Sequence, residues 1–168
     1  MKNRAPEIVR AEPTPFIPPP RTGQPAPPPV NRARLAQLQA AVEANPRDFD
    51  SLIELGFLNF EQQDFEQAVL WYTKALEVRP DDVAVRTDLG TALYNTGKTD
   101  EAVAEFRKSL EYDPNHPQAL FNLGVVLLEV KNDKQGALEN FEKLVATHPE
   151  FPQVPIVKQQ IEILKEQK

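Results

Sequence analysis

Apolar positions through the middle of the chain recur at steps of three and four residues, the spacing that lines up side chains on one face of an α-helix. Leu52, Leu55 and Asn59 follow it, then Arg86, Leu89 and Leu93, then Leu120, Leu123 and Leu127. After a short polar turn each run is followed by a second: Ala68, Tyr72, Ala75 and Leu76, then Ala102, Phe106, Ser109 and Leu110, then Ala137, Phe141 and Leu144. The pattern predicts three helix pairs, A then B. Pro80, Pro114 and Pro149 end the B helices, because proline has no amide hydrogen and pushes the residue before it out of helical geometry.

The pairs are copies of one unit. Leu55-Gly56, Leu89-Gly90 and Leu123-Gly124 fall 34 residues apart, a period that marks a stacked array rather than one closed core. A glycine inside a helix costs about 1 kcal/mol relative to alanine, so its recurrence needs a compensating reason. The expected reason is a close approach of helix A to helix B, where the small Ala68, Ala102 and Ala137 face it. The third unit has one extra residue between Gly124 and Ala137. It is assigned to the Lys131–Lys134 turn, since an insertion inside either helix would rotate the apolar face by about 100°.

With these residues in hand, the units resemble tetratricopeptide repeats, whose pattern is W-x2-L-G-x2-Y, then A-x3-F, then P. Leu52, Arg86 and Leu120 stand where that family often has tryptophan, and Asn59, Leu93 and Leu127 replace the tyrosine. Phe60 and Tyr94, one position later, supply aromatic bulk. The resemblance implies an all-α fold, a right-handed superhelical array of antiparallel helix pairs. The repeats would span 49–82, 83–116 and 117–151.

The ends read differently. Residues 1–30 hold most of the prolines, including Pro18-Pro19-Pro20 and Pro27-Pro28-Pro29. With few large apolar side chains to bury, this arm is expected to be disordered, with polyproline II character. It is read as a spacer, as a ligand for a proline-recognising domain through Pro15-Phe16-Ile17-Pro18 or Pro25-Ala26-Pro27-Pro28, or as a basic tail that folds back on the body. Residues 31–46 read as a half repeat that caps the first unit, with Asn31 as N-cap and Leu35, Leu38, Ala41 and Val42 on one face. At the other end, 153–168 reads as a second cap, a helix from Ile156 to Glu166 with Ile156, Val157, Gln160, Ile161 and Leu164 as its apolar stripe. Trp71, where the other units have Glu105 and Asn140, is read either as covered by the N-terminal helix or as an exposed contact.

Charge changes the picture of the partner. The 168 residues carry 19 basic and 25 acidic side chains, a net charge of −6. Met1 to Arg34 is nevertheless basic, at +4, which leaves −10 for Leu35 to Lys168. An acidic body repels a phosphate backbone, so nucleic acid is not the expected ligand; a protein or peptide of basic or apolar character is. No apolar run reaches the roughly 20 residues that span a bilayer, and the first residues as written lack the apolar core expected of a secretory signal. The chain as written is expected in the cytoplasm, without membrane insertion. An upstream anchor, if the sequence is a trimmed piece, would make it periplasmic or membrane-tethered instead.

Little here supports chemistry. There is no cysteine, which excludes disulfides, thiolate catalysis and cysteine metal sites. His116 and His148 are isolated in equivalent linkers, and no metal or cofactor is expected. Gly97-Lys98-Thr99 looks like the end of a phosphate loop, but Ala92 stands where its first glycine belongs. Asn95-Thr96-Gly97 is instead read as the turn between helices, with Gly97 in a left-handed conformation. No enzyme is expected.

The resemblance implies a functional surface made by shape, in which stacked A helices line a concave groove for a peptide. Carried over by register, the groove residues are Ile53, Glu54, Phe57 and Glu61, then Thr87, Asp88, Thr91 and Asn95, then Phe121, Asn122, Val125 and Glu129. Phe57, Phe121 and Val125 would pocket apolar side chains, Asn122 would hydrogen-bond a peptide backbone, and Glu54, Asp88 and Glu129 would favour a basic residue. The lysine, asparagine and arginine clamp of chaperone-binding relatives would fall on Ile53, Phe57, Asp88, Gln118 and Asn122. Its positive charges are missing, so a C-terminal carboxylate is not the expected ligand. The expected role is a protein-interaction scaffold. The alternatives are a self-assembly (homo-oligomer) module, or a noncatalytic domain tethered by its proline-rich arm to a membrane-associated complex.

Overall fold

Aspartates open the helices. Asp48, Asp64, Asp82 and Asp133 each accept a hydrogen bond from the backbone N–H three residues on, at Ser51, Gln67, Val85 and Gly136, and so satisfy donors that the first helical turn leaves unpaired. The computed structural model describes residues 32–166. These form eight helices: α1 (Arg32–Ala44), α2 (Phe49–Glu61), α3 (Phe65–Val78), α4 (Val83–Asn95), α5 (Thr99–Tyr112), α6 (Pro117–Glu129), α7 (Lys134–Thr147) and α8 (Val154–Glu166). The expected arm, residues 1–30, and the expected N-cap Asn31 lie outside the described residues.

Every helix packs on the one before it in the chain, and α4 and α6 also touch each other directly. The A helices are therefore α2, α4 and α6, and the B helices α3, α5 and α7. In a curved stack the alternate helices that come closest lie on the inside of the bend. The α4–α6 contact thus places the A helices on the inner wall of the all-α, right-handed array. The core is one continuous apolar cluster that runs from Leu38 on α1 to Leu164 on α8. It passes through each pair rather than closing into a single centre, as expected when repeats stack.

The recurrent glycines have a cause other than the one expected. A Cβ on Gly56 would lie 2.5 Å from the ring of Tyr72, one on Gly90 2.6 Å from Phe106, and one on Gly124 2.4 Å from Phe141. Each glycine is a notch on helix A that holds the aromatic ring of helix B. Ala68, Ala102 and Ala137 are fully buried as well, but the group that fills the notch is the ring. The three rings are the largest fully buried side chains of the described residues.

The turns between A and B span three residues in the first two pairs and four in the third, Val130 to Asp133, so the extra residue sits where neither helix is rotated. One residue of each turn has positive φ: Gln63 at 61°, Gly97 at 81° and Asn132 at 52°. Gly97 adopts this conformation freely, and Asn132 tolerates it; for Gln63 the clash of Cβ with the following carbonyl costs about 1–2 kcal/mol. Gln63→Gly regains part of this, offset by the greater freedom of the unfolded chain. We expect net stabilisation of about 0.5–1 kcal/mol, read as a rise of about 1–3 °C in the midpoint of thermal unfolding by circular dichroism.

At the end of the stack the apolar stripe of α8 begins two residues earlier than expected. Val154, Val157, Ile161 and Leu164 are buried against the core side, whereas Ile156, expected in the stripe, is 63% exposed. The helix starts at Val154, so the buried face steps 154, 157, 161, 164 and Ile156 falls outside that face. Trp71 is half-buried against the core, with the Lys74 ammonium 4.5 Å above its ring.

Candidate functional site

Sequence register puts twelve residues on the inner wall, and the structure divides them. Ile53, Glu54, Phe57, Asp88, Asn95, Phe121 and Val125 are half-buried, and Glu61 and Glu129 are exposed. Thr87, Thr91 and Asn122, however, are 1%, 2% and 0% exposed. These three were expected to meet a ligand, Asn122 by hydrogen-bonding its backbone. That expectation is corrected: their polar atoms are engaged inside the stack.

The reason is the close approach of α4 to α6. Asn122 Nδ2 donates to Thr91 Oγ1 at 3.0 Å, and Gln118 Nε2 donates to Asn122 Oδ1 at 2.8 Å. Thr91 Oγ1 in turn donates to the Thr87 carbonyl at 3.0 Å. Behind them the Val83 carbonyl lies within bonding distance of the Thr87 and Ser109 hydroxyls, which are 2.8 Å apart. Buried polar groups satisfied in this way cross-link the two inner helices and α5. A polar stretch that a lone sequence assigns to a groove is here what joins α4 to α6.

What remains accessible is mixed in character. Phe57 on α2 and Phe121 and Val125 on α6 give apolar surface; Phe121 is steadied by Phe151, with ring centroids 6.0 Å apart. Of the acidic positions, Asp88 on α4 is half-buried, and Glu61 on α2 and Glu129 on α6 are exposed. Asn95 turns its amide onto its own helix, donating to the Thr91 carbonyl at 2.8 Å. Tyr94 on α4 is half-buried: burial first, and then the charge of Glu129 on α6, raise its phenol above the ordinary value. Its aromatic bulk was legible in the sequence, but its proximity to Glu129 was not, because it depends on how far α6 is displaced from α4.

The Glu54 carboxylate is held by a neighbouring helix. Arg34, in the first turn of α1, grips Glu54 with two parallel hydrogen bonds, Nε to Oε1 at 2.6 Å and a terminal nitrogen to Oε2 at 2.5 Å. That bond, working against the loss of hydration, raises the guanidinium above its usual range. Glu54 shares its register with Asp88 and Asn122. Asn122 faces the A helix of the preceding pair, but α1 has no such A helix among the described residues, and Arg34 takes that place.

His116 caps the start of α6 and His148 the end of α7, each beside local partners, Asp113 and Thr147. No group of three or more potential metal-ligating side chains occurs among the described residues. No helix among them is long and apolar enough to cross a membrane.

Comparison with known proteins gives a consistent picture. Residues 87–155 match a family model described as tetratricopeptide repeat, and residues 59–97 match another described as TPR repeat. Among solved structures, MamA superposes with a TM-score of 0.72 at 18% identity, over 79% of this chain and 75% of MamA. YrrB, described as a TPR protein with an unusual peptide-binding site, does so with a TM-score of 0.67 at 26% identity, over 74% of this chain and 64% of YrrB. The TPR2B domain of yeast Sti1, solved in a complex with pHsp70, gives 0.63 at 23% identity, over 71% of this chain and 98% of that domain. No curated protein matches the chain. Proteins built from this repeat are generally non-enzymatic scaffolds for protein interactions. Since the ring-in-notch pairing, the alternation of inner and outer helices and the two matched stretches all describe the same unit, the chain belongs to the tetratricopeptide repeat family.

Proposed function

We propose that this chain is a non-enzymatic scaffold that holds a peptide segment of a protein partner along its inner wall, with α1 and α8 as end caps. The observation that supports the reading is the mix of half-buried apolar side chains, Phe57, Phe121 and Val125, with the acidic Glu61, Asp88 and Glu129 on helices α2, α4 and α6, at positions that the repeat register assigns to one wall. Apolar anchors in half-buried positions bind by excluding water, and carboxylates around them select basic partners and speed encounter. The hydrogen-bonded floor of Thr91, Asn122 and Gln118 is preformed, so binding requires little rearrangement. The ligand is then a peptide with apolar and Lys/Arg residues. A peptidic site is also described for YrrB, the relative at 26% identity.

The test begins with a random peptide library displayed against the intact chain. Recovered binders should be rich in basic and apolar residues. Asp88→Lys combined with Glu129→Lys should lower their affinity at least tenfold, about 1.4 kcal/mol, with helical circular dichroism unchanged. Affinity that is indifferent to this charge reversal would move the site off the inner wall. Asn122 is unsuitable for such a test, because its removal breaks the floor rather than the ligand contact.

A further inference from the structure

A cleft opens between two B helices, α3 and α5, and none of the twelve wall positions lines it. We propose that it docks an arginine side chain of a protein partner, with the stem laid on apolar side chains and the guanidinium bonded to Glu101 and Glu105. This site is separate from the inner wall and does not rest on the reading of that wall.

The cleft follows from how the repeats pack. Both α3 and α5 rest on α4, and the space between them has a volume of about 270 Å³. Leu89 and Leu93 of α4, both buried, line its apolar part together with the half-buried Val69 of α3. Thr73 on α3 and Ala104 on α5 are small and exposed, one on each B helix. Pockets that hold a drug-sized molecule run to roughly 300–1,000 Å³, so this one suits a single long side chain.

Its polar part is acidic. Glu101 and Glu105 lie one turn apart on α5, and both line the cleft. Oε2 of Glu105 accepts from Arg86 at 2.5 Å, which neutralises one of the two carboxylates. Among the described residues, no hydrogen bond or ion pair holds the Glu101 carboxylate or Oε1 of Glu105. Apolar surface beside an unneutralised carboxylate fits a side chain with an apolar stem and a cationic head, since such stems bury themselves while the head stays in water. Arginine suits the pair better than lysine, because its planar fork offers donors to two acceptors at once, whereas an ammonium is a point charge.

The neighbouring units show what the middle one lacks. Before this cleft, between α1 and α3, the repeat register assigns Leu70 and Trp71 to the places of Ala104 and Glu105. After it, between α5 and α7, the register assigns Arg107 to the place of Thr73 and Glu139 to that of Ala104. The chain thus gives one neighbouring place its own bulk and the other its own arginine and glutamate. In the middle unit both places are small, and the arginine is left to a partner.

The probe is the peptide acetyl-Gly-Gly-Arg-Gly-Gly-amide, titrated into the full-length protein and followed by amide and methyl resonances. Saturable shifts should centre on Val69, Leu89, Leu93 and Ala104, with a dissociation constant on the order of 10 mM, set by the few atoms in contact. Glu101→Gln should weaken binding about threefold, and a peptide with norleucine in place of arginine should bind about fivefold more weakly. Ala104→Leu, which copies Leu70, and Thr73→Arg, which copies Arg107, should each abolish saturable binding by filling the cleft, with helical circular dichroism unchanged. Shifts that do not saturate, equal affinity for the arginine and norleucine peptides, or indifference to Ala104→Leu would each overturn the proposal. Asp88→Lys with Glu129→Lys should leave the shifts as they are. If that reversal abolishes them while Glu101→Gln does not weaken binding, the arginine sits on the inner wall, and this site fails while that one stands.

Discussion

Gly90→Ala destabilises the protein by about 1–3 kcal/mol, but in a Phe106→Ala background the same substitution becomes neutral or stabilising by up to about 1 kcal/mol. Two opposed effects set the sign. Alanine is the better helix former by about 1 kcal/mol, because glycine loses more backbone freedom on folding. Against this, the new Cβ would sit 2.6 Å from Cε1 and 2.8 Å from Cδ1 of Phe106, well inside van der Waals contact, and the ring is fully buried with nowhere to retreat. Phe106→Ala alone costs about 3–5 kcal/mol through lost burial and the cavity it leaves. With the ring gone, the methyl meets open space and the helix preference decides. The coupling, at least about 1 kcal/mol of non-additivity, is measured by urea unfolding of the four variants. Simple additivity would mean that the notch and the ring do not depend on each other, and the same cycle at Gly124 and Phe141 provides a replicate within one chain.

The second large effect concerns the one charged side chain at a core position of the repeat. Arg86 is 4% exposed, where the other two units have the buried Leu52 and Leu120. It is held by Glu105 Oε2 at 2.5 Å and by the Pro80 carbonyl, and it lies over the ring of Tyr112 with its guanidinium carbon 5.6 Å from the centroid. Glu105→Ala leaves a buried cation with its carboxylate gone, and breaking buried pairs costs about 3–5 kcal/mol. Because the Glu105 side chain is 25% exposed, water replaces part of what is lost, and about 3 kcal/mol is expected. Replacing both partners reverses the outcome. Arg86→Leu with Glu105→Asn copies the third unit, Leu120 and Asn140, and should be no less stable than wild type, since apolar replacements of buried ion pairs are neutral or stabilising by about 1–4 kcal/mol. Denaturant unfolding of the single and the double variant checks both. A double variant as unstable as Glu105→Ala would show that the pair is needed for more than its own burial.

These variants bear on how much of the molecule was legible beforehand. Helix pairs, their period and their ends follow from Leu-Gly, Ala and Pro at fixed steps, because helical periodicity and proline chemistry are local. The turn at Gly97 follows for the same reason. The partner of each glycine does not. Tyr72, Phe106 and Phe141 and Ala68, Ala102 and Ala137 lie one helical turn apart on the same face, and which of them meets the notch depends on the axial offset between two helices. Nor does local pattern separate a groove residue from a seam residue: Thr87 and Phe121 hold the same register in successive units, yet Thr87 is buried and Phe121 is half-buried.

By itself, then, the sequence determined the kind of element, the repeat length, the all-α stacked architecture and the acidic body with its basic proline-rich arm. All of these depend on neighbours within a few positions of one another or on composition. Only the tertiary structure decided that the glycines are seats for rings, that Thr87, Thr91 and Asn122 seal α4 to α6, and that Arg34 reaches Glu54. Those outcomes depend on distances between helices far apart in the chain, set by how side chains of different size fill the space between them, and a shift of a few ångströms would turn the same residues from floor into surface.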